Sequence, residues 1–136
     1  MPDIIRILAI DPGERRVGLA VSDPLGVTAQ GLETFDRRKG DLLTHLRRIV
    51  EEYGVGEVVM GHPVSMSGRP NRSSIEAERL AGEIGTQLDI AVTLWDERLS
   101  SVEAQRVLAG EKAPKGAVDR VAAVLILQSF LESRGT

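Results

Sequence analysis

The chain has 136 residues, of which 42% are hydrophobic and 27% charged, and its formal net charge is −3. That length and apolar fraction fit one domain spanning residues 1–136, and the slight acidity excludes a protein that coats nucleic acid by bulk charge while leaving room for a local basic patch. The absence of cysteine and the presence of only two histidines exclude disulfides and thiolate or histidine-rich metal sites, so any metal is expected on carboxylate oxygens, which favours Mg²⁺ or Mn²⁺.

The opening Met1-Pro2-Asp3 has no basic region ahead of a long apolar run. The stretch from Ile4 to Ile10 is interrupted by Arg6 and is too short to span a bilayer, so the expectation is a cytoplasmic protein with no membrane contact. Residues 4–11 (IIRILAID) read as a buried strand ended by the turn Pro12-Gly13. Residues 16–23 (RVGLAVSD) read as a second strand, hairpinned to the first, and residues 29–35 as a third. Arg37-Arg38-Lys39-Gly40 is a charged loop.

Helical spacing of Leu42, Leu43, Leu46, Ile49, Val50 and Tyr53 predicts a helix over 41–53, with Asp41 as its N-cap and Gly54 and Gly56 as its end. Glu57 to Gly61 is a short buried strand, followed by a breaker-rich basic loop over 62–72. Ser73-Ser74-Ile75-Glu76 has capping-box spacing and opens a helix to about Leu88. Residues 90–96 (IAVTLWD) are another buried strand. Ser100-Ser101-Val102-Glu103 opens a short helix to about Leu108, residues 110–116 form a loop, and residues 117–133 make the last helix. A hairpin followed by alternating strand and helix gives an α/β fold: a mixed five-stranded sheet with helices on both faces. In such sheets the site lies beyond the carboxyl ends of the parallel strands.

Three carboxylate positions fall there. Asp11 ends the first strand on the face that carries Ile5, Ile7 and Ala9, and it is either a turn cap or a charge that needs an ion. Asp96 and Glu97 end the strand over 90–96; extended neighbours point to opposite faces, so one of them joins Asp11 while the other binds Arg98 or caps the next helix. Asp119 lies in the first turn of the last helix, where the dipole alone favours an acid, yet it shares a face with Ala122, Ala123 and Ile126, which lets that face approach the sheet. Carboxylates gathered without a histidine or cysteine cluster make a hard-oxygen metal site suited to phosphoryl transfer.

These residues carry a family resemblance. Leu8 to Gly13 (LAIDPG) with Arg16 to Asp23 (RVGLAVSD) resembles the opening of the YqgF/RuvX family. Gly61-His62-Pro63, Asp96 to Ser101 (DERLSS) and Val118 to Gln128 (VDRVAAVLILQ) resemble its other blocks, in order and over nearly the whole chain. His62 stands where a leucine is more usual, and Ser100-Ser101 where threonines are common. The resemblance implies a ribonuclease H-like fold, related to the RuvC Holliday-junction resolvases. It implies a metal-dependent nuclease acting on pre-16S ribosomal RNA at its 5′ end, with ribosomal particles as partners. Its acidic triad falls on Asp11, Glu97 and Asp119, which selects Glu97 over Asp96.

Basic residues surround these positions. Arg15, Arg16, Arg69, Arg72, Arg98, Lys112, Lys115 and Arg120 are candidates, of which Arg16, Arg69, Arg72, Arg98, Lys112 and Lys115 are expected to hold phosphates; Arg98 and Lys115 lead because they flank Glu97 and Asp119 in sequence. His62 is left out of the catalytic set, and Trp95 is assigned to the core. The rival readings are a resolvase acting as a symmetric dimer on four-way DNA, and a non-catalytic nucleic-acid-binding module for ribosome assembly. An ATP-binding domain of the actin-hexokinase type needs two such units, and this length supplies one. Monomer and homodimer remain equal expectations.

Overall fold

Alternating apolar residues build the central sheet and decide what lies on each side of it. The computed structural model describes residues 5–65, 67–99 and 117–135. Strands β1 (Arg6–Asp11) and β2 (Arg16–Ser22) form the expected antiparallel hairpin, with Leu8 opposite Val21 and Asp11 opposite Gly18. The predicted third strand is two: β3 (Ala29–Gly31) and β4 (Phe35–Asp36) pair with opposite ends of β2. Arg120 Nε donates to the Leu32 carbonyl at 2.9 Å and holds it in the gap between them. A 3₁₀ turn (Arg37–Lys39) then leads to α1 (Leu42–Tyr53), β5 (Val55–His62), α2 (Arg72–Leu88), β6 (Ala91–Asp96), a second 3₁₀ turn (Glu97–Leu99) and α3 (Ala117–Arg134). The sheet thus has six strands where five were expected, ordered β3-β2-β1-β5-β6 with β4 also on β2. β5 runs parallel to β1 and to β6.

One face carries Leu8, Ile10, Leu19, Val58 and Met60, packed under Leu46 and Ile49 of α1 and Leu80 and Ile84 of α2. The other carries Ile7, Ala9, Ala20 and Val59, packed under Ala122, Ala123, Ile126, Leu127 and Phe130 of α3. Helices therefore cover both faces, as predicted. The small residues Ala9, Ala20, Ala122 and Ala123 are all buried at this second interface, which brings α3 close to the sheet. Each fully buried Leu or Ile contributes about 1.5–3 kcal/mol to holding the layers together.

Several local expectations shift. Ile5 does not share the buried face of Ile7; it is exposed, because the β1–β5 register slips between Arg6 and Ile7. Gly54 alone ends α1, in the left-handed conformation (φ 65°), while Gly56 already belongs to β5, which is longer than Glu57–Gly61. β6 is half-buried rather than buried, as befits the last strand in the order. The predicted helix from Ser100 to Leu108 and the loop over 110–116 lie outside the described residues.

The cap of α2 is also reassigned. Asn71, not Ser73, is the N-cap: its side chain accepts from the Ser74 N–H at 2.8 Å, and Ser74 Oγ accepts from the Asn71 N–H at 2.8 Å. Asn71 Nδ2 also donates to the Pro63 carbonyl at 3.1 Å, so this residue fastens the helix to the loop that leaves β5. Asn71→Ala is expected to cost about 1 kcal/mol, typical of a lost N-cap, read as a shift in the denaturant midpoint at constant slope.

Candidate active site

Asp11 is buried, 1% exposed, and closes β1. Its neighbour on β2 is Gly18. Ile10 pairs with Met60 on β5, so the next residue in register beside Asp11 is Gly61. Alternation puts Gly18, Asp11 and Gly61 on the α3 face, in one row across three strands. A charged side chain thus stands between two positions that have no side chain.

What comes close to those glycines identifies the rest of the site. A β-carbon at Gly18 would lie 2.0 Å from the carbonyl oxygen of Asp119 and 3.3 Å from Asp11 Cβ. One at Gly61 would lie 2.7 Å from Glu97 Oε1 and 2.8 Å from Ile126 Cδ1. The backbone of Asp119 therefore sits over Gly18, and the carboxylate of Glu97 over Gly61, on either side of Asp11. Asp119 and Ile126 are seven residues apart on α3 and so share its sheet-facing stripe. Apolar periodicity does not point to Gly18 or Gly61; the signal for them is a glycine inside a strand, which marks close approach of another chain segment.

The same alternation separates Asp96 from Glu97. Leu94 packs with the α1–α2 core and Trp95 with the α3 core. Asp96 therefore points to the α2 side, away from Asp11, and Glu97 reaches the α3 side because the chain bends into the 3₁₀ turn at that residue. Asp96 grips its neighbour Arg98: Nε donates to Oδ1 at 3.0 Å and Nη2 to Oδ2 at 2.6 Å. The Arg98 side chain and, secondarily, its backbone N–H hold the Asp96 carboxyl below its usual range against the opposing effect of burial. A group depressed in this way keeps its ion pair at every pH above the ordinary carboxylate range and loses it only on acidification below that range. His62 lies on the α2 side as well, 3.4 Å from Glu78.

The basic candidates disperse. Alternation places Arg16 on the face of Gly18, beside the acidic row. Arg98 is bracketed by Asp96 and passes near Gly68. Arg69 belongs to a turn closed by Ser65. Arg72 lines a cleft of about 450 Å³ on the α2 side, between the Pro12-Gly13 turn and the first turns of α2. Arg15 pairs with Asp36 at 3.8 Å, and Arg120 serves the Leu32 carbonyl. Lys112 and Lys115 lie outside the described residues.

Asp11, Glu97 and Asp119 converge on one end of the sheet without closing into a cage. Among the described residues, no three His, Cys, Asp or Glu side chains form a ready metal-binding group. The donors are nonetheless the hard oxygens that Mg²⁺ or Mn²⁺ takes, and the two glycines let the Asp119 backbone and the Glu97 carboxylate approach either side of Asp11, so the residues fit such an ion. No described helix is long and apolar enough to cross a membrane.

The profile of the RuvX family, described as Holliday junction resolvase, matches residues 5–133. A protein of Koribacter versatilis (strain Ellin345), named "Putative pre-16S rRNA nuclease", is 49% identical over 135 residues, covering 96% of this chain and 88% of that one. A protein of the same name from Geobacillus kaustophilus (strain HTA426) is 42% identical, covering 96% of this chain and 99% of that one. In three dimensions the chain is similar to T. thermophilus RuvC in complex with Holliday junction substrate, with a TM-score of 0.62 at 16% identity over 97% of this chain and 96% of that one. That likeness establishes the ribonuclease H-like fold.

Proposed function

Because this chain belongs to the RuvX family, we propose that it is a nuclease that hydrolyses phosphodiester bonds of pre-16S ribosomal RNA at the 5′ end, in the cytosol and on ribosomal particles. The observation that carries the reading is the row Gly18–Asp11–Gly61, with Asp119 over one glycine and Glu97 over the other. Asp11, Glu97 and Asp119 hold divalent ions, Mg²⁺ or Mn²⁺. Bound there, such ions supply Lewis acidity and neutralise the charge that develops when water displaces an oxygen from phosphorus. Asp11 anchors the site from the rigid strand, Glu97 reaches in from the bend after β6, and Asp119 comes with α3. Arg16 lies on the correct face to hold a phosphate of the substrate, with Arg69, Arg72 and Arg98 as further contacts and Lys112 and Lys115 as candidates from the sequence.

The second reading is cleavage of four-way DNA, favoured by the family's description and by the RuvC fold. Full-length relatives at 40–49% identity whose name specifies pre-16S rRNA favour RNA. Purified protein incubated with precursor RNA and with a four-way DNA junction, in Mn²⁺, Mg²⁺ or EDTA, separates the two. RNA cleavage that needs the ion is expected; junction cleavage by a symmetric dimer, with RNA untouched, would reverse the assignment.

Gly61 provides a graded test of the same arrangement. Both atoms that a β-carbon would meet are ends of flexible side chains, Glu97 Oε1 and Ile126 Cδ1. Gly61→Ala is therefore expected to fold, losing less than about 1.5 kcal/mol. Displacement of the Glu97 carboxylate by about 1 Å should lower kcat by about 10²-fold. Unchanged kcat in this variant would remove Glu97 from the reacting set.

A further inference from the structure

The turn that presents Glu97 is tied at both feet to a single hydroxyl. Trp95 lies two residues before Glu97 and Leu99 two residues after it. Trp95 Nε1–H donates to Ser129 Oγ at 3.0 Å, and Ser129 Oγ–H donates to the Leu99 carbonyl at 3.0 Å. Between these feet, Asp96 and Arg98 grip each other across the residue they flank. The Trp95 ring also meets Phe130 edge-on, with centroids 5.3 Å apart. Glu97 is thus the apex of a loop closed twice, and its carboxylate projects over Gly61.

From this arrangement we infer that Ser129 is a positioning residue for Glu97. A hydroxyl has one proton and two lone pairs, so Ser129 can accept from the indole and donate to the carbonyl at once. It stands on α3, the helix that also carries Asp119. The helix therefore sets the position of two of the three carboxylates: Asp119 directly, and Glu97 through Ser129. Asp119 and Ser129 stand ten residues apart on one rigid helix, so the tie through Ser129 refers the position of Glu97 to the element that carries Asp119. Without Ser129 the turn keeps the Asp96–Arg98 grip and the Trp95–Phe130 ring contact but loses its hydrogen-bonded tie to the helix.

The inference rests on the nuclease reading for its catalytic consequence, but not for its structural one. Trp95 is the sole tryptophan, so its indole N–H gives a single proton resonance that reports the Ser129 bond directly. In Ser129→Ala the indole proton is expected to exchange with solvent at least about tenfold faster, and the Glu97 backbone amide resonance to move. Cleavage kcat is expected to fall about 10- to 100-fold with KM unchanged, because a misplaced ligand affects the transition state rather than substrate capture. Ser129→Thr, which keeps the hydroxyl, is expected to restore the exchange rate, the Glu97 resonance and most of kcat. Indole exchange that is the same in wild type and Ser129→Ala overturns the inference at its base. Faster exchange with kcat and the Glu97 resonance unmoved leaves Ser129 a mere packing contact and overturns its positioning role. If the wild type cleaves neither RNA nor junction DNA, the nuclease reading fails; movement of the Glu97 resonance in Ser129→Ala, reversed in Ser129→Thr, then upholds the positioning role by itself, and a stationary one overturns it.

Discussion

Asp11→Asn is expected to reduce phosphodiester cleavage by at least about 10³-fold while leaving the fold intact. Asp11 is almost fully buried at the end of a central strand, where a negative charge loses its hydration. Asparagine has nearly the same shape, so β1 and its neighbours need not move. Removing the charge removes the ligand charge on which a hard divalent ion depends. The measurements are a cleavage time course in Mn²⁺ beside a thermal melt of the same preparation. Equal cleavage by wild type and variant would show that the activity belongs to a contaminant and would remove the enzyme assignment.

The second large effect is expected at Gly18. Its β-carbon would lie 2.0 Å from the Asp119 carbonyl oxygen and 2.6 Å from the carbonyl carbon. Both are backbone atoms of a helix, so no rotamer change relieves the clash. Gly18→Ala must lift the first turn of α3 from the hairpin, at a cost of about 3 kcal/mol or more, the upper range for overpacking. For a chain of this size that corresponds to a fall in melting temperature of about 10 °C. Cleavage should be lost as well, since the lifted turn carries Asp119. The contrast with Gly61→Ala is the informative part: there the obstructing atoms are mobile side-chain ends, and the variant is expected to be stable yet slow. A Gly18→Ala protein that melts within a degree or two of wild type would falsify the close seating of α3 on β2.

Much of this architecture is readable in the amino acids before any coordinate is known. The alternation in residues 6–11 and 16–22 yields the hairpin, and the 3.6-residue rhythm of Leu42, Leu46 and Ile49 yields α1 with Asp41 as its cap. Asp11 at a strand end was identifiable because charge after a buried apolar run is costly. The choice between Asp96 and Glu97 was not readable from pattern alone. It depends on whether the chain stays extended after residue 96, which is a tertiary matter: the Leu99 carbonyl accepts from Ser129, 30 residues away. The split of the third strand likewise depends on Arg120, 88 residues from Leu32. The α2 cap was misplaced because capping-box spacing recurs within two residues, and Asn71 wins through its extra bond to Pro63. The choice of Glu97 over Asp96 as a ligand comes from the family resemblance, and neither it nor periodicity points to the glycines that flank Asp11.

The seating of α3 also has a consequence for how the protein comes into being. Its docking face is built mainly from β1 and β2, yet Ala117–Arg134 is synthesised roughly 100 residues after them. At bacterial synthesis rates of about 5–20 residues per second, roughly 100 residues between Asp11 and Asp119 take about 5–20 s to make. During that interval the hairpin and its first carboxylate exist with one side of the sheet bare. Closing so long a loop is slow compared with local helix formation, so docking of α3 should be a late folding event.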